Sequence, residues 1–260
     1  MTLGKPLRGR RVLITRPRRD AEPLADLLRS RGAEPILAPA IEILPPDDPK
    51  PLDAALRLAV NGGVEWTVFT SPRSVESVVA RLVVLKFELR LPTLHAVVGE
   101  GTADALLMLG REPDLMPPEF TTAALGEAFP VGKGKVLLPR ADIAPPGLED
   151  VLREKGWDPV RVTAYRTTFA ETLPADAAAA LEAVDPDDGA ASAIVFTSAS
   201  TVHGFVHAGG HARAGLSVVA IGPVAGKAAE DAGFTVDAIA EPHTMEGIAK
   251  ALARLFKGSR

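Results

Sequence analysis

The chain has 260 residues, 47% hydrophobic and 24% charged, with a formal net charge of −4 and no cysteine. That length accommodates one or two domains with a well-buried core, and the 23 Gly and 23 Pro, dispersed along the chain, exclude collagen-like and low-complexity architectures. Mild acidity excludes the global field of a nonspecific nucleic-acid binder, and the missing cysteine excludes disulfide scaffolds, zinc ribbons, thiol catalysis and cysteine-held iron–sulfur clusters.

A cysteine-free chain suits a reducing cytoplasm. The basic stretch Met1–Arg11 is followed by only Val12-Leu13-Ile14, too short for a signal peptide. No window reaches the ~18 apolar residues needed to cross a bilayer. The expectation is a soluble cytoplasmic monomer with no nucleic-acid or membrane partner.

In chain order, Val12–Thr15 reads as a strand, and Ala21–Arg31, with Leu24, Leu27 and Leu28 on one face, as a helix that Gly32 ends. Ile36–Ile43 reads as the next strand and Leu44–Pro51 as a loop. Trp66–Thr70 and His95–Val98 are expected strands; Ser74–Leu82 and Thr102–Leu109 are expected helices. Pro113–Pro118 and Asp185–Gly189 read as loops. Further helices are expected at Gly147–Lys155, Thr201–Val206, Val224–Ala232 and Met245–Phe256.

The second half repeats the first. Arg11-Val12-Leu13-Ile14-Thr15-Arg16 returns as Lys135-Val136-Leu137-Leu138-Pro139-Arg140, and Val68-Phe69-Thr70-Ser71 as Val195-Phe196-Thr197-Ser198. Val97-Val98-Gly99 returns as Ala220-Ile221-Gly222, and Thr121 and Leu125 as Thr244 and Ile248. Four segments in one order at nearly one spacing indicate a duplication. Strands alternating with helices of about ten residues imply parallel βαβ units, hence an α/β fold with open, doubly wound sheets.

Ligands of such sheets bind at the carboxyl ends of the strands. Those ends carry Arg16, Ser71, Ser74, Gly99, Thr102, Arg140, Ser198, Ser200, Thr201 and Gly222. Small hydroxyl residues and glycines at helix N-termini present N–H groups to anions, and guanidinium forks suit carboxylates. Each hydroxyl taken singly also reads as a helix cap. Four such ends together point to a ligand with several negative charges. Arg18 and Arg19 read equally as solvated loop charge.

Other chemistries find little support. Gly99-Glu100-Gly101 lacks the third glycine of a dinucleotide loop, which would fall at Asp104, and there is no phosphate-loop lysine or nucleophile elbow. His203, His207 and His211 have helical spacing, but glycines interrupt the helix and no carboxylate joins them, so no metal is expected. Asp47, Asp48, Asp187 and Asp188 read as turn residues. A flavodoxin-like signalling domain would need an acidic cluster, which is missing.

The ordered set Val12-Leu13-Ile14-Thr15-Arg16-Pro17, Phe69-Thr70-Ser71, Val98-Gly99 with Thr102-Ala103, Ala164-Tyr165-Arg166-Thr167, Phe196-Thr197-Ser198-Ala199-Ser200 and Ile221-Gly222-Pro223 resembles the uroporphyrinogen-III synthase family. The resemblance runs from about residue 10 to about residue 252. It implies a cyclising lyase of tetrapyrrole and heme biosynthesis that closes hydroxymethylbilane, a linear octa-acid, with inversion of the last ring and loss of water. It implies no cofactor, and two flavodoxin-like parallel-sheet domains with helices on both faces, joined by a two-stranded linker, with substrate in the cleft. The first domain would take residues 1–39 and 168–260, the second 40–167, with linker strands at about 38–44 and 162–168. Tyr165, the sole tyrosine, matches the family's linker tyrosine. Its phenol either protonates the departing hydroxyl or packs against the linker. Lys227 and Ser200 are candidate carboxylate contacts. Where the family usually has threonine this chain has Ala225, leaving backbone N–H groups there. The competing reading is a cofactor-free, two-lobed anion-binding module.

Overall fold

The computed structural model describes residues 5–185 and 188–258; Asp187, expected in a turn, lies outside them. The first elements are β1 (Arg11–Ile14), α1 (Arg18–Ser30) and β2 (Glu34–Leu37). Ala21, Leu24, Ala25 and Leu28 form the buried stripe of α1, spaced as a helix with one apolar face requires. Next come β3 (Ile41–Leu44), α2 (Lys50–Val60), β4 (Trp66–Phe69), α3 (Pro72–Val84), β5 (Leu94–Val97), α4 (Glu100–Leu106) and α5 (Thr122–Ala128). The second half supplies β6 (Lys135–Ala141), α6 (Leu148–Glu154), β7 (Asp158–Phe169), α7 (Ala175–Glu182) and β8 (Ala193–Phe196). It ends with α8 (Ala199–His207), β9 (Ser217–Ala220), α9 (Pro223–Asp231), β10 (Ala238–Ile239) and α10 (Met245–Leu255).

Two expectations are corrected. Ile36–Ile43 is not one strand. The N–H groups of Ala38 and Ala40 still bond to the carbonyls of Ile14 and Thr15, but these acceptors are adjacent where a regular ladder skips one, so the register breaks around Pro39. Leu44–Pro51 is not all loop either. Leu44 closes β3, and Lys50-Pro51 open α2, where proline's fixed φ and missing donor cost nothing.

The chain forms two compact units, Met1–Ile43 with Thr168–Arg260, and Leu44–Thr167. It passes from the first to the second inside β3 and returns inside β7. The first unit holds a five-stranded sheet in the order β10-β9-β8-β1-β2, and the second sheet runs β3-β7-β6-β4-β5. Every pairing with a resolved register is parallel.

Alternation along the strands sends successive side chains to opposite faces. In the first unit Leu13, Ile194 and Phe196 join the core on one side, and Val12, Ile14, Ala193 and Val195 join that on the other. The second unit does the same with Phe69, Val97 and Leu137 against Val68, Ala96, Val136 and Leu138. Both faces are covered by helices, which is why β4 and β8 are buried at every position. The duplication carries into the packing. β9, β8, β1 and β2 lie in the order in which β5, β4, β6 and β7 lie in the other sheet. Even short β10 has a counterpart, Leu115, which bridges to Ala96.

Candidate functional site

In the second unit the carboxyl ends of β4, β5, β6 and β7 converge. Ser71 follows β4 and caps α3: its Oγ accepts the Ser74 N–H at 3.2 Å. The same Oγ lies 3.0 Å from the phenol oxygen of Tyr165. Tyr165 stands beside Ala141 across a bulge between β6 and β7, and its ring packs on the core of this unit. Burial raises the phenol above its ordinary pKa, outweighing the Ser71 hydrogen bond and the nearby Arg73 that pull it down. The phenol therefore keeps its proton at neutral pH. Asp142 sits next along, its N–H bonded to the Tyr165 carbonyl and its Oδ1 accepting the N–H groups of Ile143 and Thr167 at 2.9 and 3.0 Å.

The α3 and α4 N-termini are neighbours; a Cβ on Gly101 would touch Pro72 at 3.9 Å. Gly99 precedes α4 in extended conformation and offers no side-chain cap, so the first N–H groups of that helix are left to other acceptors. Thr102 is buried, its N–H turned back to the Gly99 carbonyl.

In the first unit Ser198 caps α8 in a reciprocal box with Thr201. Its Oγ accepts the Thr201 N–H, and the Thr201 hydroxyl accepts the Ser198 N–H, both at 3.2 Å. Ser200 Oγ is 2.9 Å from Ser198 Oγ, which leaves a pair of half-buried hydroxyls at the strand end. Gly222 precedes α9 without a side-chain cap. Arg16 follows Thr15, whose buried hydroxyl donates to the Val195 carbonyl at 2.7 Å and ties β1 to β8.

A relative from Synechococcus elongatus bearing the name uroporphyrinogen-III synthase is 32% identical over 262 residues, covering 95% of this chain and 96% of its own. The family profile described as uroporphyrinogen-III synthase HemD matches residues 22–250. This chain belongs to the uroporphyrinogen-III synthase family. In fold it is similar to a mutant uroporphyrinogen III synthase from Thermus thermophilus, with a TM-score of 0.68 at 21% identity, covering 96% of this chain and all of the other. The uroporphyrinogen-III synthetase of Helicobacter pylori gives 0.61 at 19% identity over 95% and 99% of the two chains. A cyclising lyase of this family is thereby favoured over a binding module.

Against the family's pattern, the structure separates the expected site residues into two sets. Ser71, Gly99, Ser198, Ser200, Gly222 and Tyr165 stand at strand ends with groups to offer. Ser74 and Thr201 are buried, and their hydroxyls donate to the carbonyls of Ser71 and Ser198, shaping the turns. Arg140 is buried as well. Its guanidinium is 2% exposed and bonded at 3.0 Å to Glu149, itself 5% exposed, with Arg161 at 3.2 Å on the same oxygen. Burial raises the Glu149 carboxyl, but its own N–H and the two guanidinium groups together hold it below its ordinary pKa. Arg140 is thus paired with Glu149 inside the unit. Lys227 lies a turn into α9, paired with Asp231 on the exposed side.

Among the described residues no three His, Asp or Glu side chains converge to hold a metal ion, and no helix is long and apolar enough to cross a membrane. His203 and His207 lie on α8, while His211 falls beyond its end. Asp142 went unread in the sequence because a lone Asp after a strand signals only a turn. Glu149 was hidden because nothing local marks a buried carboxylate.

Proposed function

We propose that the chain converts hydroxymethylbilane to uroporphyrinogen III, inverting the last ring and releasing water, and that Tyr165 is the proton donor of that reaction. Family membership supports the reaction. For the donor, the supporting observation is the phenol of Tyr165, protonated at neutral pH and held 3.0 Å from Ser71 Oγ at the strand ends.

The phenol proton passes to the hydroxymethyl oxygen as its C–O bond breaks, releasing water and leaving an azafulvenium cation beside the phenolate. Ser71 donates a hydrogen bond to the phenolate and keeps its own proton. The last ring attacks through its substituted carbon, forming a spiro intermediate that fragments with that ring turned round. Closure at the free α-carbon expels one proton, which restores the phenol. Unassisted closure gives the unflipped isomer, so the protein's contribution is largely to hold one attack geometry. Each unit offers groups suited to carboxylates: the uncapped N–H groups after Gly99 in the second, and those after Gly222 with the Ser198–Ser200 pair and Arg16 in the first.

No metal or organic cofactor takes part in this scheme, and the working form is a cytoplasmic monomer acting on a small molecule, without nucleic acid. The test is to incubate the purified chain with hydroxymethylbilane, oxidise the products and separate the porphyrin isomers by chromatography. Isomer III as the main product is expected. Isomer I alone, at the spontaneous rate, overturns the reading.

A further inference from the structure

Phe120 is an apolar ring in a place that core packing does not require. It is 40% exposed, at the carboxyl end of β5, yet its backbone is tightly fixed. Pro117 and Pro118 precede it, the Thr121 N–H bonds to the Glu119 carbonyl at 2.8 Å, and Thr121 Oγ1 accepts the Ala124 N–H at 3.1 Å to cap α5. One side of the ring lies on Gly99. A Cβ there would come within 2.9 Å of Phe120 Cγ, closer than real side chains approach, and within 3.1 Å of its Cβ.

The arrangement recurs in the other unit. His243, just before the α10 cap Thr244, lies over Gly222, where a Cβ would meet its ring at 3.5–3.6 Å. Ring, glycine and cap are each 123 positions from their counterparts. A flat ring over the strand-end glycine is therefore a feature of the duplicated unit. It is more than an accident of one loop.

We propose that Phe120 is the platform on which one pyrrole ring of the substrate stacks, a substrate-positioning role that rests on the function proposed above. The exposed part of the Phe120 ring carries no donor for a carboxylate, a task left to the uncapped N–H groups after Gly99. What suits this spot is the other half of the ligand's chemistry, a flat, electron-rich and apolar heterocycle. Aromatic pairs in offset or tilted stacks gain about 0.5–1.5 kcal/mol beyond the area that they bury.

The experiment measures KM and kcat for hydroxymethylbilane, isomer ratio and melting temperature for Phe120→Ala, Phe120→Leu and Phe120→Tyr. Phe120→Ala should raise KM about tenfold with kcat and melting temperature little changed, the loss expected for one stacked ring and its apolar contact. Phe120→Tyr should restore KM, and Phe120→Leu, which fills space without a flat face, should not. Three results overturn the proposal: unchanged KM in Phe120→Ala, equal rescue by leucine and tyrosine, or a fall in kcat at constant KM. A wild-type chain that forms no isomer III would instead defeat the underlying function, and is seen in the same assay before any variant is compared.

Discussion

At the scale of single residues, half-buried Tyr165 and fully buried His95 are polar groups used in opposite ways. The Tyr165 phenol bonds to Ser71 at the strand ends, and burial raises its pKa further above neutrality, where a phenol is protonated already. Tyr165→Phe keeps the ring packing and removes the donor. Turnover is expected to fall by ~10²–10⁴-fold, with stability lowered by only about 1 kcal/mol for the lost hydrogen bond. Stopped-assay rates and a urea melt on the same preparation separate the two effects; an unchanged rate returns the phenol to packing. His95, on β5, is fully buried, stacked against Phe69 with ring centroids 6.2 Å apart, and neither ring nitrogen makes a hydrogen bond. Burial lowers its pKa to about 4, with Arg111 adding to the shift and Asp114 opposing it. The folded state thus resists protonation that the unfolded chain accepts below its ordinary value of 6.5. Stability is whole above that pH and falls as pH drops toward 4, by up to about 3 kcal/mol. Urea midpoints between pH 8 and 4.5 should show this slope, and His95→Phe should flatten it.

Among elements, the buried charges around α6 decide how that helix sits on its sheet. Glu149, in its first turn, binds Arg140 from β6 and Arg161 from β7 through one oxygen, and Arg161 also donates to the Ala144 carbonyl at 2.7 Å. Removing the carboxylate charge leaves Arg140 buried and uncompensated. Glu149→Gln should therefore cost about 3–5 kcal/mol of unfolding free energy. Arg161→Ala, at the half-exposed arm of the cluster, should cost under about 1 kcal/mol. Chemical denaturation of both variants checks the contrast, and equal losses would mean that the cluster is solvated in solution. The element scale also shows where local reading succeeds. α1 and α10 were legible because an apolar stripe repeats with helical period and ends in a Gly32 turn or begins at the Thr244 cap. α2 was not, because its Pro-rich start resembles the loop before it. The β2–β3 break is written in Pro39, but a single proline within an apolar run does not say which sheet each side will join.

For the whole molecule, the duplicated halves do not correspond to the compact units. Residues 1–131 supply β1 and β2 to one sheet and β3, β4 and β5 to the other. They lack β8, which pairs with β1, and β6, which pairs with β4. A fragment of residues 1–131 should therefore show no cooperative melt and collapsed NMR dispersion. A sharp transition in that fragment would contradict this. The order of apolar strands, the repeat near 123 residues, the helix caps and the family were determined by the sequence alone, since each is carried by neighbours in the chain or by motif order. Sheet order, the division of the chain into two units, the burial of Arg140 against Glu149 and the seating of Phe120 on Gly99 were decided only by the tertiary structure. Each depends on groups brought together from distant or unmarked positions, and neither hydrophobic periodicity nor a motif records which partner a strand, a charge or a ring will meet once the sheets have closed.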